Sequence, residues 1–170
     1  MMDLKEMLEG CGAVKYGEFT LTSGKISKYY VDIKLASTRP EILKTIVEQM
    51  DAHVDGDRIA GMELGAVPLA AALSLETEKP YVMIRKKAKG HGTSGRIEGE
   101  IEEGDKVVVV EDVITTGGSS VETVEVLREF GAIVEKVLVV VDRQEGGKEA
   151  LQEIDVELVP LLTAEDLLEG

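Results

Sequence analysis

The chain has 170 residues, 44% of them hydrophobic and 31% charged, a globular composition with enough length for one domain and its own core. Its formal net charge is −14, so nucleic acid is not expected as a main partner, because phosphate backbones need a basic footprint. A single cysteine, Cys11, excludes an intrachain disulfide framework and a cysteine-rich zinc site, and the two histidines, His53 and His91, lie far apart in sequence. The opening MMDLKEMLEG carries charges and does not read as a signal peptide, and the apolar runs are too short to span a bilayer. A reducing cytoplasm is the expected compartment.

In chain order, Asp3 and Glu6 have capping-box spacing before a helix whose Leu4, Met7, Leu8 and Cys11 share one face. Residues 14–33 read as two strands joined through a turn from Thr22 to Lys25. Pro40 opens a second helix with Ile42, Ile46, Val47 and Met50 on one side. From residue 57 the pattern alternates between strand and helix. Arg58–Met62, Tyr81–Ile84, Val107–Val110, Val137–Val141 and Val156–Val159 are expected strands. Ala66–Leu75, apolar nearly all round, is an expected buried helix. Ser119–Phe130 is another, with Val121, Val124, Leu127 and Phe130 inward and Gly131 as its stop, and a short helix is expected near Glu149. Apolar strands separated by helices predict a parallel sheet covered on both faces, with ligands beyond the carboxyl ends of its strands.

The most specific segment is Val107–Ser120, VVVVEDVITTGGSS. A strand ends in two acids, Glu111 and Asp112. A loop of Thr115, Thr116, Gly117 and Gly118 then leads to a helix whose start is predicted from the Ser119–Glu122 capping-box spacing. Free N–H groups at such a start, with glycines that allow close approach, make an anion site. Carboxylates beside it suit ribose hydroxyls or a phosphate-bound Mg²⁺. Adjacent strand residues point to opposite faces, so both acids are expected at one sugar only if the strand ends there.

Residues 85–99, RKKAKGHGTSGRIEG, hold Arg85, Lys86, Lys87, Lys89 and Arg96 with no acid before Glu98. Gly90, Gly92, Gly95 and Gly99 disfavour helix and strand. A cationic glycine-rich loop in an acidic chain fits either a solvated surface loop or a lid closing on a polyanion. Arg143, following an expected strand, fits either a surface pair with Glu145 or Asp142 or a reader of a planar carboxylate.

The run Glu111-Asp112-Val113-Ile114-Thr115-Thr116-Gly117-Gly118-Ser119 resembles the phosphoribosyl pyrophosphate (PRPP) signature of type I phosphoribosyltransferases, and it lacks the Gly-Lys-Ser/Thr ending of a Walker A loop. Arg85-Lys86-x-x-Lys89-x-His91-Gly92 resembles the catalytic loop of orotate phosphoribosyltransferases. Asp142-Arg143-Gln144-Glu145 is similar to that family's orotate-contacting element, and Leu21–Asp32 to its Ser-Gly-Lys/Arg-x-Ser-x-Tyr-Tyr element. Glu63-Leu64-Gly65-Ala66 resembles its pyrophosphate-contacting turn. The resemblance covers nearly the whole chain, which is short like the compact archaeal members. Glu111 stands where many members have Asp, which keeps the charge.

That resemblance implies an α/β type I phosphoribosyltransferase fold in one domain, residues 1–170. Its central parallel sheet would be flanked by helices, with a small hood over residues 1–36 and a flexible lid over 85–99. The implied reaction moves the 5-phosphoribosyl group from PRPP to orotate, giving orotidine 5′-phosphate and pyrophosphate in pyrimidine (UMP) biosynthesis. Mg²⁺ would be held mainly by PRPP, with no dedicated protein metal site. The implied PRPP contacts are Lys25, Arg85, Lys86, Lys89, His91, Glu111, Asp112, Val113, Ile114, Thr115, Thr116, Gly117, Gly118 and Ser119. Orotate would be read by Lys25, Thr115 and Arg143, and the catalytic groups would be Lys86, Lys89, His91 and Asp112. Arg85 would act within its own subunit, and Lys86, Lys89 and His91 in the neighbouring one, which implies a homodimer. Two rival readings stay open: a phosphoribosyltransferase for a purine or another pyrimidine, and a PRPP-binding transcription regulator on the same fold.

Overall fold

The computed structural model describes residues 2–91 and 93–169, so Gly92, one glycine of the expected lid, lies outside the described residues. Helix α1 (Leu4–Gly10) begins at the predicted capping box. The Glu6 N–H donates to Asp3 Oδ1 at 2.8 Å, and the Asp3 N–H donates to Glu6 Oε2 at 3.1 Å. Strands β1 (Val14–Thr20) and β2 (Ile26–Val31) pair antiparallel as a separate two-stranded sheet, with a register slip between Tyr16 and Phe19. Their turn closes where the Leu21 N–H donates to the Lys25 carbonyl at 2.8 Å. A short helix absent from the sequence expectations, α2 (Ile33–Ser37), follows, capped by the Asp32 carboxylate. Then α3 (Pro40–Asp51) buries Ile42, Ile46, Val47 and Met50 as its periodicity predicts.

The rest of the chain forms β3 (Arg58–Met62), α4 (Ala66–Thr77), β4 (Tyr81–Ile84), β5 (Ile97–Glu98), β6 (Val107–Ile114), α5 (Gly118–Phe130), β7 (Lys136–Asp142), α6 (Gly147–Gln152), β8 (Glu157–Thr163) and α7 (Ala164–Leu168). The strand order is β5-β4-β3-β6-β7-β8, and every neighbouring pair is parallel except β4 with β5. The sheet is therefore mostly rather than wholly parallel. Its antiparallel edge comes from the glycine-rich segment expected to lack regular structure. Ile97 packs against the core and draws β5 onto the β4 edge, and a 3₁₀ turn over Thr93–Arg96 precedes it. Backbone hydrogen bonds of 2.8 Å, Arg85 N–H to Arg96 and Lys89 N–H to Gly95, fold that segment back on itself.

Two cores lie on the two faces of the sheet. On one, Leu8, Ile46, Leu69 and Leu73 pack against Val108, Val110 and Leu138; on the other, Val124, Leu127 and Leu151 pack against Val107, Val109 and Val137. Helix α5 buries Ser120, Thr123, Val124, Val126 and Leu127, while Val121 and Phe130 are only half-buried. Its inner face is rotated from the expected one because Ser120 faces β6. Helix α4 also departs from expectation. Only its Ala66, Leu69, Ala70 and Leu73 stripe is buried, and Leu75 is 83% exposed, so an apolar outer side is left uncovered in the single chain.

From β3 the chain steps outward to β4 on one side and then crosses back to β6 on the other. The connections therefore diverge between β3 and β6, and a crevice opens beyond their carboxyl ends. Leu138, fully buried in the middle of β7, holds the sheet beneath that crevice. Leu138→Ala is expected to destabilise the protein by about 2–5 kcal/mol, read from the midpoint of urea unfolding.

Candidate active site

Side chains of β6 alternate between the two cores through Val110, and the acids continue that alternation. Glu111 stays on the α5 face, 8% exposed, where the Ser120 hydroxyl donates to its Oε2 at 3.3 Å. Asp112 lies on the opposite face, with Oδ2 3.6 Å from Lys34 Nζ. Gly65 presses so closely on that carboxylate that a Cβ there would sit 2.2 Å from Oδ2. The strand runs past the acids and ends at Ile114, where the Ile114-Thr115 step suggests its end. Both acids nevertheless line one cavity of about 380 Å³, because it spans the crevice and takes walls from both faces. The turn after β3, Glu63–Gly65, forms one wall, and residues 113–120 form the other.

Burial, then the neighbouring Asp112 carboxylate, pushes the Glu111 carboxyl up to about 8. The proton it retains near neutrality lowers the repulsion between the two acids. The predicted cap at Ser119 does not form. Helix α5 begins one residue earlier, at Gly118, behind Gly117 with φ 90°, and no side chain caps it. Glu122, the expected capping partner, lies 2.8 Å from Arg96 Nη2 instead. The first N–H groups of α5 thus open on the cavity without a competing side-chain acceptor, which is what an anion site requires.

A second cavity of about 570 Å³ adjoins the first, and Val113, Thr115 and Thr116 line both. Its other walls come from the β1–β2 hairpin, including Lys25, and from Arg143 and Glu145. Arg143 is no surface residue: it is 7% exposed, with its guanidinium carbon 4.3 Å from the centre of the Tyr29 ring. Its Nη2 donates to the Ser27 hydroxyl at 3.0 Å, while Nε has no hydrogen-bond partner and lies 3.6 Å from Glu145. The start of the loop carrying it is fixed by two hydrogen bonds. The Arg143 N–H donates to the Ile114 carbonyl at 3.0 Å, and Asp142 Oδ1 accepts from the Gln144 N–H at 2.8 Å. A buried guanidinium with an unused donor, stacked on an aromatic ring, is suited to a flat anionic partner.

The structure thus gathers Lys86, Glu111, Asp112, Val113, Ile114, Thr115, Thr116, Gly117, Gly118 and Ser119 around the first cavity, and Lys25, Thr115 and Arg143 around the second. Arg85, Lys89 and His91 line neither. Arg85 Nε donates to Glu98 at 2.7 Å, and Lys89 and His91 are exposed. Glu63, exposed on the turn after β3, accepts the Lys86 N–H at 2.6 Å and so ties the root of the glycine-rich segment to the cavity wall. One lining cation, Lys34, has no counterpart in the sequence reading. A lysine directly after an Asp-capped helix start was its only local signal, and the approach to Asp112 is purely tertiary.

A phosphoribosyl transferase domain model matches residues 38–159. An orotate phosphoribosyltransferase of Methanosarcina mazei is 53% identical over 169 residues, covering 98% of this chain and 90% of that protein. Among solved structures, the orotate phosphoribosyltransferase of Aeropyrum pernix superposes with a TM-score of 0.87 at 36% identity, covering 98% of this chain and 97% of that one. The Mycobacterium tuberculosis orotate phosphoribosyltransferase in complex with PRPP gives 0.79 at 30% identity, covering 98% and 99%. With its mostly parallel sheet, its acid-flanked anion loop and this similarity along nearly its full length, the chain belongs to the orotate phosphoribosyltransferase family.

Proposed function

We propose that this site transfers the 5-phosphoribosyl group from PRPP to orotate, releasing pyrophosphate and forming orotidine 5′-phosphate for pyrimidine nucleotide synthesis. The observation that carries this reading is the pair of adjoining cavities with a common wall at Val113, Thr115 and Thr116. One offers an uncapped helix start and two acids, the other a buried guanidinium. The 5-phosphate docks on Thr115–Ser119, where backbone and hydroxyl donors converge, and the ribose hydroxyls meet Glu111 and Asp112. Orotate lies in the second cavity, its carboxylate read by Arg143 and its ring flanked by Lys25 and Thr115. The bond from C1 to the pyrophosphate oxygen breaks with its electrons leaving on pyrophosphate, and a ring nitrogen of orotate bonds to C1 from the opposite side. No protein nucleophile takes part; positioning and electrostatics supply the rate.

Among the described residues no three His, Cys, Asp or Glu side chains gather closely enough to hold a metal ion. The two cavity acids fit a Mg²⁺ that arrives already held by the oxygens of PRPP. Such an ion would supply charge neutralisation at the diphosphate. Arg85, Lys86, Lys89 and His91 close over the reacting centre, with Lys89 and His91 serving the neighbouring subunit of a homodimer; Lys86 is assigned there by the same resemblance, although in the single chain it lines its own first cavity. The uncovered apolar side of α4, with exposed Leu75, supports such pairing, as does the position of Lys89 and His91 outside both cavities of their own chain. No helix among the described residues is long and apolar enough to cross a membrane.

Absorbance loss of orotate on adding PRPP and Mg²⁺ tests the activity directly, and no loss with fresh protein would sink it. Arg143→Ala is expected to raise KM for orotate by roughly 10- to 100-fold, as loss of a charge-assisted pair does, with PRPP affinity preserved by calorimetry. Mixing Lys89→Ala and Arg143→Ala proteins, assayed at orotate far below the raised KM of the Arg143 variant so that each alone is nearly silent, should give roughly a quarter of wild-type turnover after subunit exchange, since each mixed dimer keeps one intact site. No recovery would place the lysine in its own subunit's site.

Glu111 adds a pH dependence. Its carboxyl rises from 4.5 to about 8 on folding, so the fold favours the protonated form. That stabilisation is complete below about pH 4.5 and is lost as pH climbs through 8. Glu111→Gln is therefore expected to flatten the decline of Tm across this window while lowering turnover, and an unchanged Tm–pH profile would contradict the assignment.

A further inference from the structure

The first cavity poses an electrostatic problem that the residues discussed so far do not solve. Its lining contains three carboxylates, Glu63, Glu111 and Asp112, and only two cationic side chains, Lys34 and Lys86. A diphosphate entering such a space brings several more negative charges. Lys86 belongs to the cationic segment and is exposed where that segment leaves β4. Lys34 is placed differently. It projects from α2, which is anchored by buried Ile33, Ala36 and Ser37 and capped by Asp32, whose carboxylate accepts the Leu35 N–H at 3.1 Å. Its base is therefore fixed, while its side chain is 59% exposed at the cavity.

The partner it has in the structure is a loose one. Nζ lies 3.6 Å from Asp112 Oδ2, longer than a charge-assisted hydrogen bond, and a pair this exposed contributes little to stability. Asp112 does not depend on it for position, because Gly65 packs against the same carboxylate oxygen from the other wall. Lys34 thus stands where the acid that meets the ribose adjoins the turn 63–65. A ribose held by its 5-phosphate on residues 115–119 and by its hydroxyls at the acids would direct its C1 substituent toward that turn.

We propose that Lys34 is a substrate-contacting cation that donates to the diphosphate of PRPP from the same chain, and that its ion pair with Asp112 is its resting position. On PRPP arrival Nζ moves from the carboxylate to the diphosphate oxygens, which carry more charge, and Asp112 is freed for the ribose. The site therefore holds one diphosphate cation on a rigid helix in addition to those on the glycine-rich segment. This inference rests on the PRPP site described above.

Calorimetry with PRPP, inorganic pyrophosphate and ribose 5-phosphate, on wild-type protein and on Lys34→Ala, Lys34→Arg and Asp112→Asn variants, tests it. Lys34→Ala is expected to weaken PRPP and pyrophosphate roughly tenfold or more, the effect of losing a hydrogen bond to a charged group, and to leave ribose 5-phosphate unchanged. Lys34→Arg should recover most of the loss. KM for PRPP should rise while KM for orotate stays the same. In an Asp112→Asn background the Lys34→Ala loss should persist; its disappearance would mean that the lysine acts only by holding Asp112 and would overturn the proposal. Equal weakening of all three ligands, or wild-type affinity for PRPP in Lys34→Ala, would overturn it as well. Both leave the enzyme reading intact, whereas failure of the wild-type protein to take up PRPP would remove the enzyme reading and the lysine's role together.

Discussion

Two carboxylates at the carboxyl end of a buried strand repel each other and lose hydration, and the crevice is built around that constraint. Glu111 is buried against α5, keeps its proton to about pH 8 and receives the Ser120 hydroxyl. Asp112 points to the other face, wedged between the backbone of Gly65 and the ammonium of Lys34. A side chain at position 65 would collide with the carboxylate, so the turn after β3 and Asp112 can approach only through a glycine. The acids are costly to the empty fold, and their placement makes sense as a receptor for hydroxyl groups and a cation that arrive together.

The same constraint explains the neighbouring loop. An anion binding within reach of two acids would need donors that are fixed, numerous and uncharged. Backbone N–H groups satisfy this where charged side chains would pair with the acids instead. Gly117 in the left-handed region turns the chain sharply from β6 into α5 and leaves that helix without a side-chain cap. Thr115 and Thr116 face both cavities, so two ligands bound in them would lie side by side. The β1–β2 hairpin supplies the far wall, since Tyr29 stacks under Arg143 and Ser27 accepts a hydrogen bond from it.

Charge is distributed unevenly in a chain of net −14. Lys34, Lys86, Lys25 and Arg143 stand around the two cavities, whereas many of the remaining ion pairs, such as Lys106 with Asp55 and Glu135, lie near the opposite ends of the strands. An acidic exterior disfavours polyanions in general, and the local cations offset the carboxylates of the crevice.

Much of the fold was legible in the sequence because its signals are local. The capping box at Asp3, the inward stripe of α3 and the branched runs of β6 and β7 each follow from periodicity within a few residues. The anion loop and the identities of both acids, of Arg143 and of the cationic segment were readable for the same reason. Contacts between distant segments were not. Nothing near Ile97 announced an antiparallel edge strand, and nothing near Ser119 announced that its cap would be left unmade with Glu122 turned toward Arg96. The nearness of Lys34 to Asp112, the burial that protonates Glu111 and the stacking of Arg143 on Tyr29 exist only once the hairpin, α2 and the sheet have packed together. The sequence by itself determined the acid pair, the glycine-rich turn and the cationic segment as local motifs, since motif and periodicity are properties of neighbouring residues, but it did not mark Lys34 as part of the site. Only the tertiary structure decided which of them meet and at what charge, because distance and desolvation depend on segments far apart in the chain.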